Sequence, residues 1–169
     1  MTVTYRPETQ DDETFVRRLV VETIAGELGA RTWPEPMRSQ LIDLQYRTRR
    51  SVGRSTPGVT TSQILVADGE DAGWLLTADL DDEIRIVEIM VLPPRRNQGV
   101  GSEAIDAVLR RAAGTGKPVR LLVNCTNARA IRLYERLGFR TAGTDQVQFL
   151  MEWTATSAPA LPESAPPQS

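Results

Sequence analysis

The sequence predicts an α/β (α+β) fold, in which a central mixed, mostly antiparallel sheet is flanked by about four helices. Two patterns indicate this class. Some segments repeat apolar residues at the helical period of about 3.6 residues, whereas shorter segments alternate apolar and polar residues between Gly and Asp turns. The chain of 169 residues, 40% of them hydrophobic, has the size and composition of one such domain. We expect a single domain over residues 1–153 and a disordered tail, rich in Pro, Ala and Ser, over residues 154–169.

The N-terminal third predicts one strand and two helices. Residues 3–6 form a short strand, and residues 11–28 repeat apolar side chains at helical spacing until Gly29. A second helix is expected over residues 37–50, after a segment punctuated by proline. Its residues expected to face the core are Met37, Leu41, Leu44 and Tyr46. Residues 51–61, rich in Gly, Ser, Thr and Pro, predict a flexible loop.

The rest of the chain combines strands with two further helices. An antiparallel meander comes first, and an apolar strand later in the chain predicts cover on both of its faces. The predicted strands are residues 63–67, 73–79, 83–92, 119–124, 139–144 and 147–153. The predicted helices are residues 99–113 and 127–137, the second ending at Gly138. The meander and the two closing strands make the predicted sheet mostly antiparallel.

Composition and charge exclude several classes of function. The chain has no histidine, which removes an imidazole base and histidine metal ligands, so no metal is expected. Its one cysteine, Cys125, cannot form an internal disulfide, and with no secretory signal in view we expect a cytoplasmic protein. A net charge of -2 argues against a nucleic-acid partner, although a local patch at Arg47, Arg49 and Arg50 stays open. No apolar run approaches the ~20 residues of a membrane-spanning helix, so no membrane partner is expected.

Glu88 interrupts an otherwise aliphatic strand within RIVEIMVLPPRRNQGVGS, residues 85–102. Its neighbours on the predicted strand face are Ile84, Ile86, Met90 and Leu92. A carboxylate in such surroundings loses water, which raises its pKa toward neutrality and suits a general base. Two alternatives stay open: an ion pair with an arginine such as Arg85 or Arg120, or a side chain turned out at a β-bulge.

The loop that follows this strand has the features of an anion site. The glycines at Gly99 and Gly101 allow close approach of the backbone, and the first N–H groups of the next helix point toward a bound anion such as a diphosphate. Arg96 adds a permanent positive charge. The spacing to Ala104 also matches a dinucleotide fingerprint, but the next strand ends without the acidic residue that such a site needs. A glycine-rich turn that only starts a helix is the remaining alternative.

Two linked segments resemble the GNAT superfamily of acyl-CoA-dependent N-acetyltransferases. VLPPRRNQGVGSEAI matches that family's strand, Arg/Gln-x-x-Gly-x-Gly/Ala loop and helix, and NCTNARAIRLYERLGF matches its Asn-x-x-Ala-x-x-Leu-Tyr-x-x-x-Gly-Phe pattern. With the meander, the resemblance covers residues 63–153. It implies a sheet that splays between strands four and five, acetyl-CoA as co-substrate without a metal, and direct transfer to a primary amine in a ternary complex.

The resemblance also implies which residues hold the donor. Pantetheine would pair with the main chain of the fourth strand, and the pyrophosphate would receive N–H groups of the glycine loop. The donor-binding residues so implied are Met90, Val91, Arg96, Gln98, Gly99, Val100, Gly101, Ser102 and Asn127. Asn127 begins the last helix, where it would also serve as the N-cap.

Two side chains are implied as catalytic. Glu88 would take a proton from the amine, directly or through a water, and an N–H near Val91 would face the oxyanion. Tyr134 would protonate the leaving thiolate. It shares a helical face with Ala130 and Leu137, so that simple packing is its alternative role.

The acceptor is predicted only by class. The N-terminal helices usually shape the acceptor site in this fold, which makes four residues there candidates, with core packing or solvation as their alternative role. These candidates are Trp33, Arg38, Gln45 and Tyr46. A small-molecule or peptide amine is expected as the acceptor, and the family's habit would allow a homodimer. A catalytically silent acyl-CoA-binding sensor or assembly module is the alternative function.

Overall fold

The computed structural model describes residues 1–27, 29 and 32–156, which contain seven strands and four α-helices. The strands are β1 (Val3–Pro7), β2 (Val59–Ala67), β3 (Glu70–Asp79), β4 (Ile84–Val91), β5 (Val119–Asn124), β6 (Arg140–Thr144) and β7 (Gln148–Trp153). The helices are α1 (Glu13–Glu27), α2 (Met37–Ser55), α3 (Val100–Thr115) and α4 (Ala128–Arg136). Leu28, the predicted end of the first helix, and residues 157–169 of the predicted tail lie outside the described residues.

All seven strands belong to one sheet, in the order β1-β2-β3-β4-β5-β7-β6. Every neighbouring pair is antiparallel except β4 and β5, which are parallel. The mixed, mostly antiparallel sheet and its four helices confirm the predicted fold class. None of the described helices is long and apolar enough to cross a membrane.

Apolar side chains form a core on each face of the sheet. The larger core lies under α3 and α4 and includes Ile105 and Phe139. The second lies under α1 and α2 and includes Leu19 and Trp74. The prediction that β5 is covered on both faces is wrong: Val119, Leu121 and Val123 face the larger core, whereas Leu122 on the opposite face is 59% exposed.

Helix α2 departs most from the prediction, since it continues through residues 51–55 and β2 already begins at Val59. The flexible loop predicted over residues 51–61 is therefore wrong. Tertiary packing explains the extension, because Gly53 brings α2 against β3: a Cβ built on it would lie 2.8 Å from Leu76 Cδ2. The glycine that suggested a loop instead permits close contact between the helix and the sheet.

The face that α2 turns inward is also not the one predicted. Tyr46 is buried and Leu41 packs against the second core, but Met37 and Leu44 are each 55% exposed. Arginine residues occupy much of the inward face, as described below. The apolar periodicity was misleading here because the helix covers a polar site as well as a core.

Candidate active site

A β-bulge in β4 sets the direction of Glu88. On the neighbouring strand β3, Leu76 pairs with Glu88, whereas the next residue, Thr77, pairs with Ile86. Val87 is thus an extra residue in β4 that has no pairing partner on β3. An extra residue of this kind bends the strand and reverses the alternation of its side chains.

The bulge divides β4 between the two cores. Ile84 and Ile86 belong to the core under α3 and α4, whereas Met90 and Leu92 belong to the core under α1 and α2. The prediction that all four share a face with Glu88 is therefore wrong for Ile84 and Ile86. Glu88 lies on the side of Met90 and Leu92, which is the side that α2 covers.

Glu88 forms an ion pair with Arg49 of α2. Arg49 donates from Nη1 to Glu88 Oε1 at 2.8 Å, and the two side chains are only 24% and 21% exposed. Burial raises the pKa of Glu88 above its usual range, and the Arg49 charge opposes this rise. An arginine partner was one predicted alternative, but Arg85 and Arg120 pair with Glu83 instead. The sequence had suggested Arg49 only as part of a basic patch.

The sheet opens just beyond the bulge. The parallel pairing of β4 and β5 ends with Ile86 and Leu121, and within the described residues no strand pairs with residues 87–91 on that side. The expected splay between these strands is therefore present. It leaves a stretch of β4 main chain whose N–H and C=O groups are available to an extended ligand.

Strand alternation identifies the groups that face the gap. Leu92 donates its N–H to Ala72 O of β3 at 2.9 Å, so on this side of the bulge Met90, two residues earlier, also bonds toward β3. Ile89 and Val91 turn their main-chain groups to the gap. Of the two strand residues predicted to hold the donor, Val91 therefore faces the gap and Met90 does not. The main chain of Ile89 faces the gap instead, which the sequence did not indicate.

The Arg96 side chain folds back from the glycine loop. Its Nε donates to Val91 O at 3.0 Å and its Nη2 to Thr23 Oγ1 of α1 at 3.3 Å. Gln98 likewise turns back, and its Nε2 donates to Pro94 O at 3.0 Å. Both side chains fix the loop rather than point toward an anion site. Because Arg96 occupies the Val91 carbonyl, the N–H of Val91 is the main-chain group of that residue left to face the gap.

The start of α3 presents unpaired main-chain N–H groups. Gly99 is the N-cap, with a left-handed φ of 87°, and its carbonyl accepts the N–H of Glu103 at 2.9 Å. The N–H groups of Val100, Gly101 and Ser102 precede that first helical bond and have no acceptor within the helix. They lie at the helix end for which the glycine spacing predicted an anion site, and anion binding there stays a prediction.

Gly101 faces the gap directly. A Cβ built on it would have Val91 Cγ2 at 3.8 Å and Leu133 Cδ2 at 3.9 Å as its nearest neighbours, which are ordinary contacts. Gly101 therefore lies between β4 and α4. On the outer side of the loop, Arg129 of α4 donates to Asn97 Oδ1 at 3.1 Å and ties the two segments together.

Helix α4 brings Tyr134 to the same gap. Asn127 caps the helix as predicted, accepting the Ala130 N–H at 3.2 Å. Tyr134 is buried, and its ring lies 5.7 Å from that of Phe139. Burial, with a smaller contribution from the negative charge of Glu88, raises the pKa of Tyr134 to about 12. The structure gives its hydroxyl no hydrogen-bond partner among the described residues.

The four candidate acceptor residues are scattered. Tyr46 is buried on the inward face of α2, and Gln45 is half-buried beside it. Trp33 is 37% exposed, and Arg38 pairs with Glu35 at 2.8 Å near the start of the helix. Of these four residues, only Tyr46 belongs to the core under α1 and α2, on the face of the sheet where Glu88 lies.

Three comparisons relate this chain to known proteins. The family model described as the acetyltransferase (GNAT) family matches residues 11–139. A mycothiol acetyltransferase from Actinosynnema mirum is 40% identical over 92 residues, which are 52% of this chain and 31% of that protein. Another from Kineococcus radiotolerans is 32% identical over 118 residues, which are 68% of this chain and 36% of that protein. The matches thus cover about a third of these relatives' lengths.

A similar architecture is found among solved structures. The PaiA N-acetyltransferase from Thermoplasma acidophilum, solved in complex with coenzyme A, superposes with a TM-score of 0.71 over 91% of this chain and 99% of that one. The two sequences are 16% identical, so the likeness concerns the fold.

Proposed function

The chain belongs to the acetyltransferase (GNAT) family, and from this premise we propose that it transfers an acetyl group from acetyl-CoA to a primary amine, by direct attack in a ternary complex. One observation supports the proposal: the charge of Glu88 acts on the phenol of Tyr134, and the two side chains come from β4 and α4, which border the gap that opens between β4 and β5. The N-terminal end of α3 lies beside that gap.

The gap suits the donor in shape and in polarity. Pantetheine would lie along β4 and pair with the main chain of Ile89, as an added strand does, which leaves the Val91 N–H for the thioester carbonyl. The pyrophosphate would receive the N–H groups of the α3 N-terminus, where the helix dipole favours negative charge. Asn127 would contact pantetheine with its amide group while its Oδ1 caps α4.

Glu88 supplies the base. An amine with a pKa of about 10.4 is protonated in neutral water, and it must lose a proton before its lone pair can attack the thioester carbonyl. Burial makes Glu88 a stronger base than a solvated carboxylate, although the ion pair with Arg49 limits this gain. The proton would pass to Glu88 directly or through a water.

The Val91 N–H and Tyr134 would stabilise the two negative charges that develop. The N–H faces the carbonyl oxygen as it becomes an oxyanion. A phenol with a pKa of about 12 is a weaker acid than a thiol of pKa about 8.5, so complete proton transfer to the thiolate would be uphill by about 5 kcal/mol. We therefore assign Tyr134 a hydrogen bond to the departing sulfur. Protonation of Glu88 would strengthen that bond, since the negative charge of Glu88 contributes to the raised pKa.

Donor binding is tested by calorimetry with acetyl-CoA. Gly101→Glu should abolish binding, because a carboxylate would enter the gap and repel the pyrophosphate. Gly114→Glu is the matched control, since it lies in the same helix and a Cβ there would have nothing within 4 Å. Equal binding by both variants would refute the proposed donor site.

Release of the CoA thiol with a panel of primary amines tests the transfer itself. The alternative function, a silent acyl-CoA-binding module, predicts tight binding of acetyl-CoA without thiol release for any acceptor. Turnover with one amine that stops in Glu88→Gln would exclude that alternative.

A further inference from the structure

A cavity of about 280 Å³ lies between the C-terminal half of α2 and strands β2 and β3. Three arginines from neighbouring turns of α2 line it, namely Arg49, Arg50 and Arg54. Arg50 and Arg54, four positions apart, share one face of the helix, and the long side chain of Arg49 reaches the same cavity from an adjacent face.

Only part of this positive charge is neutralised within the protein. Arg50 pairs with Glu8, the one carboxylate of the cavity wall, at 2.5 Å, and its guanidinium lies 5.3 Å from the centre of the Trp74 ring. Arg54 is exposed and makes no ion pair with any described residue. Arg49 uses Nη1 for its ion pair, but its buried Nε has no hydrogen-bond partner. The cavity therefore holds the unpaired guanidinium group of Arg54 and an excess of positive charge.

The cavity lies next to Glu88, the proposed base, because two residues that line the cavity also contact or pair with Glu88. Arg49 lines the cavity and also pairs with Glu88 at 2.8 Å. Leu76 lines the cavity too, and it is the residue of β3 that pairs with Glu88 across the bulge. Gly53 keeps α2 close to Leu76, which fixes the arginines beside this part of the sheet.

We propose that this cavity binds an anionic group of the acceptor, a carboxylate or a phosphate, while the acceptor's amine lies near Glu88; this inference rests on the proposed function. Arg54 would form charge-assisted hydrogen bonds to the anion, for which the planar guanidinium group is well suited, and the positive charge of Arg49 would add to the attraction. The same charges would repel a polycationic acceptor. The acceptor class is therefore an amine with a built-in negative charge.

The first experiment compares matched acceptors on the wild-type protein. The series contains ω-amino carboxylates of two to six carbons, the corresponding amides, the corresponding aminoalkylphosphonates, and diamines of equal length. Release of the CoA thiol gives kcat/KM for each. We expect an anionic acceptor to exceed its amide by roughly tenfold or more, the effect of a hydrogen bond to a charged group. The phosphonates distinguish phosphate from carboxylate, and equal rates for anions, amides and diamines would overturn the inference.

Arg54→Gln tests the location of the anion. Arg54 is exposed in the last turn of α2, so the variant should stay folded, and its preference for anionic acceptors should fall by about tenfold. Arg47→Gln is the matched control, because Arg47 lies exposed on the same helix and its Nε bonds only the main-chain carbonyl of Asp43. An unchanged preference in Arg54→Gln, or an equal loss in both variants, would contradict the assignment.

A binding measurement separates this inference from the proposed transfer. Calorimetric titration of the protein with an aminoalkylphosphonate and with an aminoalkyl amide needs no chemistry. Selective binding of the phosphonate that is lost in Arg54→Gln supports the proposed anion site in the cavity. If no acceptor then gives thiol release, the proposed transfer is refuted while the anion site stands. Thiol release without a preference for anions refutes the cavity and leaves the transfer in place. Absence of selective binding refutes the cavity.

Discussion

Replacing Arg49 with glutamine should make the stability of the protein depend on pH in a calculable way. The substitution removes the 2.8 Å ion pair and leaves Glu88, only 21% exposed, without its arginine partner. Breaking a buried ion pair from one side typically costs about 3–5 kcal/mol, because the remaining charge stays desolvated. The pKa of Glu88, already raised by burial, should rise further when the opposing charge is gone.

Protonation limits the size of this effect. Glu88 can become neutral at the cost of binding a proton from solution, and for a carboxyl group of ordinary pKa about 4.3 that cost at pH 7 is about 3.7 kcal/mol. At pH 5 the same limit is only about 1 kcal/mol. Because the folded pKa of Glu88 is raised above the unfolded one, the contribution of this residue to stability is highest below about pH 4.3 and falls as pH rises toward the folded pKa. The loss caused by Arg49→Gln should therefore grow between about pH 4.5 and pH 7.

Urea unfolding of wild type and variant at several pH values measures this difference. We expect the two free energies of unfolding to lie within about 1 kcal/mol of each other at pH 5 and to separate by up to about 3.7 kcal/mol at pH 7. Adding Glu88→Gln to Arg49→Gln should remove the pH-dependent part of this loss, since the carboxyl group that loses its partner is no longer present. A pH-independent loss, or one that the double substitution leaves unchanged, would refute this account of Glu88.

Three further outcomes are expected. Glu88→Gln should lower kcat by roughly 10²–10⁴-fold and remove the corresponding limb of the pH-rate profile; an unaltered profile would contradict the role as base. Tyr134→Phe should lower kcat by about tenfold, the effect of one hydrogen bond to a charged group. It should not lower the stability, because the hydroxyl has no partner to lose. Tyr5→Phe, which loses a bond to a main-chain carbonyl, should instead lower the stability and leave kcat unchanged. Isothermal calorimetry should give no acetyl-CoA binding for Gly101→Glu and wild-type affinity for Gly114→Glu, and wild-type binding by the former would exclude the donor site.

Sequence by itself determined the parts of the site that depend on local chemistry. The N-cap at Asn127, the left-handed Gly138 just after α4 and the start of α3 at the glycine loop follow from residues only a few positions apart. Strand β5 was predicted at its observed bounds for a similar reason, because a short apolar run between turn residues leaves few alternatives. The fold class followed from the order of these elements.

Only the tertiary structure decided how Glu88 is used. Its direction depends on the bulge at Val87, which exists only in the register between β4 and β3, and a sequence pattern carries no record of that pairing. Its partner Arg49 lies 39 residues away on a helix whose inward face is polar. Strand alternation and helical periodicity are properties of single elements, whereas the ion pair, the open β4 edge and the arginine-lined cavity arise where different elements meet.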